Sequence, residues 1–188
     1  MERLPDRAGA AAAIETFLRA IGRDPDHDAS LVGTGARVAD AFTDEFCRGY
    51  AVDTDTLLSA NKLAGSTDLV LLRELPVITM CPHHLLPATG SATVAFAPRD
   101  HLIGLGTLAR LVEAFSCRLT LQEQIGEAVV GAIALHLAPR WVGCRLVFQH
   151  ACMAARGVRT PTARVETVAF AGTGVDLMLV HQVLGVGR

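Results

Sequence analysis

The chain predicts an α+β fold, a mostly antiparallel sheet with helices on one face. Two observations carry that reading. Apolar residues first recur at helical spacing, switch to alternation, return to helical spacing and then alternate again. The 188 residues, 51% of them hydrophobic, suffice for one substantial core. The expected organisation is an N-terminal helical region over residues 1–62 and an α+β domain over 63–188.

Each element follows from its pattern. Residues 8–22 place Ile14, Phe17, Leu18 and Ile21 on one stripe, and Asp24-Pro25-Asp26 ends that helix. Residues 33–49 read as a second helix with Val38, Ala41, Phe42 and Phe46 facing in, and 54–58 as a short third one. Residues 68–80 are rich in Leu, Val and Ile but contain Pro76, which predicts a strand or a bent pair of strands. Residues 90–97 alternate apolar with small polar residues, as a hairpin partner would, and Pro98-Arg99-Asp100 is a turn. Helices are expected over 107–117, with Leu108, Leu111, Val112 and Phe115 on one face, and over 121–137. Strands are expected over 141–150 and 164–171, and the apolar tail 175–184 fits a helix or a strand. Four strands leave two free edges, a liability that pairing between subunits would remove, so a homo-oligomer is expected.

Composition narrows the function. The hydrophobic fraction of 51% with a net charge of −2 excludes a disordered polar chain and gives no basic footprint for nucleic acid. No run reaches the roughly 18 apolar residues of a membrane span. Met1 to Arg7 lacks a signal-peptide pattern. The odd count of five cysteines argues for a reducing compartment over a disulfide framework, so a cytoplasmic protein is expected. Cys47, Cys117 and Cys144 lie in apolar-periodic segments and read as packed thiols.

The chemistry-bearing cluster is Cys81-Pro82-His83-His84, answered downstream by His150-Ala151-Cys152. Any one of these residues alone is more simply explained as core. Together they fit a zinc site with an open position, since catalytic zinc takes three Cys, His or carboxylate ligands and a water. Cys81 and His84 have the local spacing to share one ion, and Cys152 supplies the remote ligand. His83 and His150 are then left beside the metal, free for proton transfer.

Several further segments complete a pattern that resembles the GTP cyclohydrolase I family. They are Asp24-Pro25-Asp26, Thr34-Gly35-Ala36-Arg37-Val38-Ala39, Cys81-Pro82-His83-His84-Leu85-Leu86-Pro87 and Ile103-Gly104-Leu105, then Ala109-Arg110-Leu111-Val112, Arg118-Leu119 with Gln122-Glu123, and His150-x-Cys152-Met153-x-x-Arg156-Gly157-Val158. The resemblance implies a tunnelling fold over residues 63–188, with sheets joined across subunits into a barrel and two rings stacked as a decamer. It implies Zn2+ held by Cys81, His84 and Cys152, and acid–base roles for His83 and His150. It implies hydrolysis at C8 of GTP, loss of formate and reclosure to 7,8-dihydroneopterin triphosphate. Gln122 and Glu123 match the guanine-recognition position. Read from the residues alone, that pair fits better as a solvated first turn of a helix. Arg37, Arg110 and Arg156 match the triphosphate cradle.

The chain departs from the family pattern at four positions. Pro82 stands where a Glu is usual, Gly106-Thr107 where Ser-Lys is usual, and Asp40 where a Lys is usual. Two cations of the implied phosphate cradle are therefore lost, and one of them is reversed in sign. Charge-assisted contacts are worth about 1.5–3 kcal/mol each. Triphosphate binding should weaken unless Arg159 or Arg164 compensates. Two alternatives follow: a diverged enzyme acting on a less phosphorylated or different purine, and a catalytically silent nucleotide-binding or regulatory paralogue.

Overall fold

The computed structural model describes residues 5–173 and 175–186. The chain divides into two compact units, with the division between Arg48 and Gly49.

In the first unit, α1 (Arg7–Ala20) begins at Asp6, whose carboxylate accepts from the Gly9 N–H at 2.8 Å, a helix cap. It packs against α2 (Thr34–Asp40). The close approach requires a glycine at position 35, where an added Cβ would lie 2.5 Å from the Ala11 carbonyl oxygen. The single helix expected over 33–49 is broken into α2, a wide π-helical turn over Ala41–Phe46 and a 3-10 turn over Arg48–Ala51. Arg7 pairs with Asp40 at 3.1 Å and also with Asp44, so a salt-bridge cluster stands where that helix widens.

The second unit opens with α3 (Thr54–Ala60), capped by Asp53. Residues 49–62 therefore do not all group with the first helices: α3 packs on α4 (Leu105–Ser116) and α5 (Gln122–Leu137). The main sheet runs in the order β2 (Val70–Met80), β3 (Pro87–Ala97), β5 (Trp141–His150), β6 (Val165–Gly172), antiparallel throughout. A separate pair, β1 (Lys62–Ala64) with β4 (His101–Ile103), has strands too short to leave a pattern in the sequence.

Alternation along β3 and β5 sends Ala92, Val94 and Phe96, and Val142, Cys144, Leu146 and Phe148, to one face. That face meets Leu108, Leu111 and Val112 of α4 and the i, i+4 series Ile125, Val129, Ile133 and Leu137 of α5, all buried. Each large side chain buried this way contributes about 1.5–3 kcal/mol. Cys144 sits in this core, where burial pushes its thiol up to about 12 and leaves it inert.

Two elements refine the expectation. Pro76 does not interrupt β2, because β2 is an edge strand and an absent N–H is tolerated there. The bend falls instead at the register shift between Leu72 and Leu75, where Glu74 adopts φ 54°. The tail forms α7 (Leu177–Leu184), capped by Asp176. It lies on the face opposite α4 and α5, because Val180 and Leu184 fill a second apolar cluster with Ala95, Ala97 and Trp141.

Candidate active site and metal centre

Sheet register builds the site. Met80 pairs with Pro87, and Ala88 pairs with His150, so the end of β2, the start of β3 and the end of β5 meet at one rim. Cys81 is the first residue past β2, and Cys152 lies in α6 (Ala151–Ala154), the helical turn that follows β5. The connecting loop 81–86 is closed by two backbone bonds, Cys81 N–H to Leu86 O at 2.9 Å and Leu85 N–H to Cys81 O at 2.8 Å. Neither needs a donor at residue 82. Pro82 therefore fits the second position of this turn, where its fixed φ suits the backbone.

The two cysteine sulfurs and a ring nitrogen of His84 all lie within 4.8 Å of one another. The Cys81 sulfur is 3.7 Å from His84 Nδ1. Ligands around one tetrahedral zinc sit roughly 3.4–3.8 Å apart, given metal–ligand bonds of about 2.0–2.3 Å. A set of two thiols and one imidazole suits that ion in chemistry, and the Cys81–His84 separation suits it in spacing. Burial raises the Cys152 thiol above its ordinary value, and the neighbouring Cys81 adds to the shift. A divalent cation reverses this and favours the thiolate. The Arg156 guanidinium reaches His84 Nε2 at 2.7 Å from the other side of the ring.

A cavity of about 240 Å³ adjoins the cluster. Cys81, His83, Gln122, Glu123, His150 and Cys152 line it, together with Thr79, Thr120 and Met153. The Gln122 side chain, only 3% exposed, donates to the carbonyls of Leu146 and Val165 at 3.1 and 3.0 Å and lies 2.9 Å from His150 Nε2. Burial lowers the pKa of His150, and the Glu123 charge opposes that shift. A larger groove of about 550 Å³ runs along α5 and β6 and shares only Glu123 with the metal-side cavity. It holds none of the thiols or imidazoles.

The segment that delivers Gln122 and Glu123 is pinned from below. Arg118 donates to Ala114 O at 2.7 Å and to Gly49 O at 2.9 Å, and its guanidinium stacks over Tyr50 and Phe115. The Thr79 hydroxyl donates to the Arg118 carbonyl at 3.1 Å, and the Leu119 N–H donates to the Tyr50 hydroxyl at 3.2 Å. Sequence reasoning gave Arg118 and Tyr50 no role, although Arg118-Leu119 stood in a recognised segment.

The GTP cyclohydrolase I family model matches residues 10–183. The chain belongs to the GTP cyclohydrolase I family. It is 35% identical over 170 residues to GTP cyclohydrolase 1 of Allorhizobium ampelinum, covering 89% of this chain and 84% of that one. It is 35% identical over 164 residues to that of Bartonella henselae, covering 86% and 79%, and 34% identical over 174 residues to that of Brucella abortus, covering 92% and 81%. The crystal structure of the archaeosine synthase QueF-Like in the apo form is similar over 60% of this chain and 100% of that one, with 20% identity and a TM-score of 0.48.

The α+β unit of this GTP cyclohydrolase I family member brings together seven of the ten expected site residues at one rim: Cys81, His83, His84, Gln122, Glu123, His150 and Cys152. Arg156 joins them through His84. Arg110, on α4, is exposed and is not among the residues that line the cavity. Arg37 belongs to the first unit, where its guanidinium bonds Val32 O at 3.0 Å and Thr34 Oγ1 at 2.9 Å. Among the described residues no helix is long and apolar enough to cross a membrane.

Proposed function

We propose that this chain is a zinc-dependent hydrolase that opens the imidazole ring of GTP and yields 7,8-dihydroneopterin triphosphate and formate. The observation that supports it most is the convergence of Cys81, His84 and Cys152 beside a cavity lined by His83, His150 and Glu123. Zinc held by those three residues supplies Lewis acidity and a water activated near neutral pH. The chain's own groups do the rest. Glu123 accepts from the guanine ring N–H and exocyclic amine, a bidentate match for a carboxylate. Gln122 stands beside it as part of the recognition position. His83 and His150 move the protons that ring opening, formate loss and reclosure require. Arg156, with Arg110, holds the phosphates. The active form is a cytoplasmic homo-oligomer, a decamer whose sheets join across subunits, which fits the outward edges of β2 and β6.

Incubation with GTP, with product mass, formate and zinc content measured on one sample, tests this reading. His83→Ala should abolish turnover. A silent nucleotide-binding paralogue would bind GTP equally well with or without that change and release no formate.

One observation favours a second reading, a substrate with fewer phosphates. Asp40, at the position of a family lysine, is paired with Arg7, and Arg7 is shared with Asp44, so two carboxylates face one cation. Initial rates with GTP, GDP, GMP and guanosine separate the readings. A preference for GTP by orders of magnitude removes the second.

A further inference from the structure

The side chain of Gln122 has a single workable orientation. Its amide nitrogen faces two carbonyl oxygens, Leu146 O at 3.1 Å and Val165 O at 3.0 Å. Turned over, the amide would aim its own oxygen at both and leave its two N–H groups without those acceptors in a side chain that is 3% exposed. The oxygen Oε1 therefore faces His150 Nε2 at 2.9 Å. An amide oxygen only accepts, so Nε2 of His150 must carry hydrogen. A neutral imidazole has one N–H, which leaves Nδ1 as the accepting nitrogen.

We propose that Gln122 is a positioning residue that holds the His150 ring through Nε2, as the Nε2–H tautomer, and leaves Nδ1 without hydrogen. The proposal rests on the reading of His150 as an acid–base group. The rigidity comes from the sheet: Gln122 is tied to β5 through Leu146 and to β6 through Val165, and His150 ends β5. His150 also lies against the Phe148 ring, with centroids 6.2 Å apart. An acceptor that orients a histidine in this way plays the part the buried Asp plays in a Ser-His-Asp triad.

Solid-state 15N spectra of the zinc-loaded protein with labelled histidine, with His150 assigned by its loss in His150→Gln, read the tautomer directly. The expected result is a protonated Nε2 and an unprotonated Nδ1. A proton on Nδ1 alone overturns the proposal without any variant. Kinetics supply the second arm. Gln122→Met keeps the length and removes the acceptor, and should lower kcat about 10- to 100-fold, within the range typical of acid–base groups. Zinc content should stay within about twofold, any rise in KM should be smaller than the fall in kcat, and combination with His150→Ala should add no further loss in kcat. A change in KM alone, or losses that multiply in the double variant, would leave Gln122 a recognition residue or a buried cross-link and overturn the positioning role. If His150→Ala itself turned over normally, the acid–base reading would fail, while the tautomer would still be settled by the spectra.

Discussion

Arg118→Met tests whether the segment before α5 positions the nucleotide end of the site. The change keeps an unbranched apolar stem and removes the guanidinium. Two hydrogen bonds are lost, to Ala114 O at 2.7 Å and Gly49 O at 2.9 Å, and each charged-donor bond is worth about 1.5–3 kcal/mol. Stacking over Tyr50 and Phe115 adds about 0.5–1 kcal/mol per ring. Arg118 is half-buried, so the lower part of each range applies, and the expected loss is about 4–5 kcal/mol. For a chain of this size that corresponds to a fall in Tm of roughly 8–20 °C. Thermal unfolding followed by near-UV circular dichroism measures it. Hydrogen exchange should accelerate at the amides of Leu119 to Glu123, and KM for the nucleotide should rise because Glu123 loses its support. A Tm within about 2 °C of the parent, with KM unchanged, would refute the reasoning.

Cys152→Ala should abolish stoichiometric zinc and lower turnover at least about a thousandfold, checked by elemental analysis beside formate release. Gly90→Ala should prevent β3 from pairing with β5, because the new Cβ would run into the Val147 carbonyl oxygen and lie 2.8 Å from the Phe148 ring. Loss of soluble protein or a collapsed urea midpoint is the expected outcome. Hydrogen bonds from Arg145, at 2.7 and 3.0 Å, hold the Glu166 carboxyl below its ordinary value of 4.5. Because the folded value is the lower one, the pair's stabilisation is full above pH 4.5 and disappears as pH falls through the depressed value. Glu166 is a third exposed, so Glu166→Gln should cost under about 1 kcal/mol at neutral pH. Urea titrations should show that difference vanish in acid.

The parts of the fold that could be read in advance are those where one residue type serves one period. Residues 141–150 were expected as a strand and form β5 over that span, since Val142, Cys144, Leu146 and Phe148 alternate inward. α5 shows the same through Ile125, Val129, Ile133 and Leu137. The first unit was harder to read. No residue of α1 is buried, and the helix expected over 33–49 widens into a π turn that apolar spacing does not encode. The tail left two readings open, because Val180 and Leu184 suit either element until the Ala95–Trp141 surface is there to receive them. At the site, thiol and imidazole spacing marked the metal ligands. The second layer was silent: Gln122 looked like a surface residue in a first helical turn, and its burial comes from two carbonyls supplied by distant strands.

The rim on which the thiols and imidazoles sit has a consequence for how such a chain can change. Cys81, His150 and Cys152 ride at strand ends whose ladder fixes them together, so altering one disturbs several partners. Arg37, Arg110, Arg156 and Arg159 are exposed side chains on helices and irregular segments, where replacement leaves the scaffold intact. On the proposed function, substitution can therefore retune the phosphate end of the site one residue at a time while the bond-breaking end stays locked. Asp40 and Thr107, which stand where the family resemblance expects lysines, are two such positions.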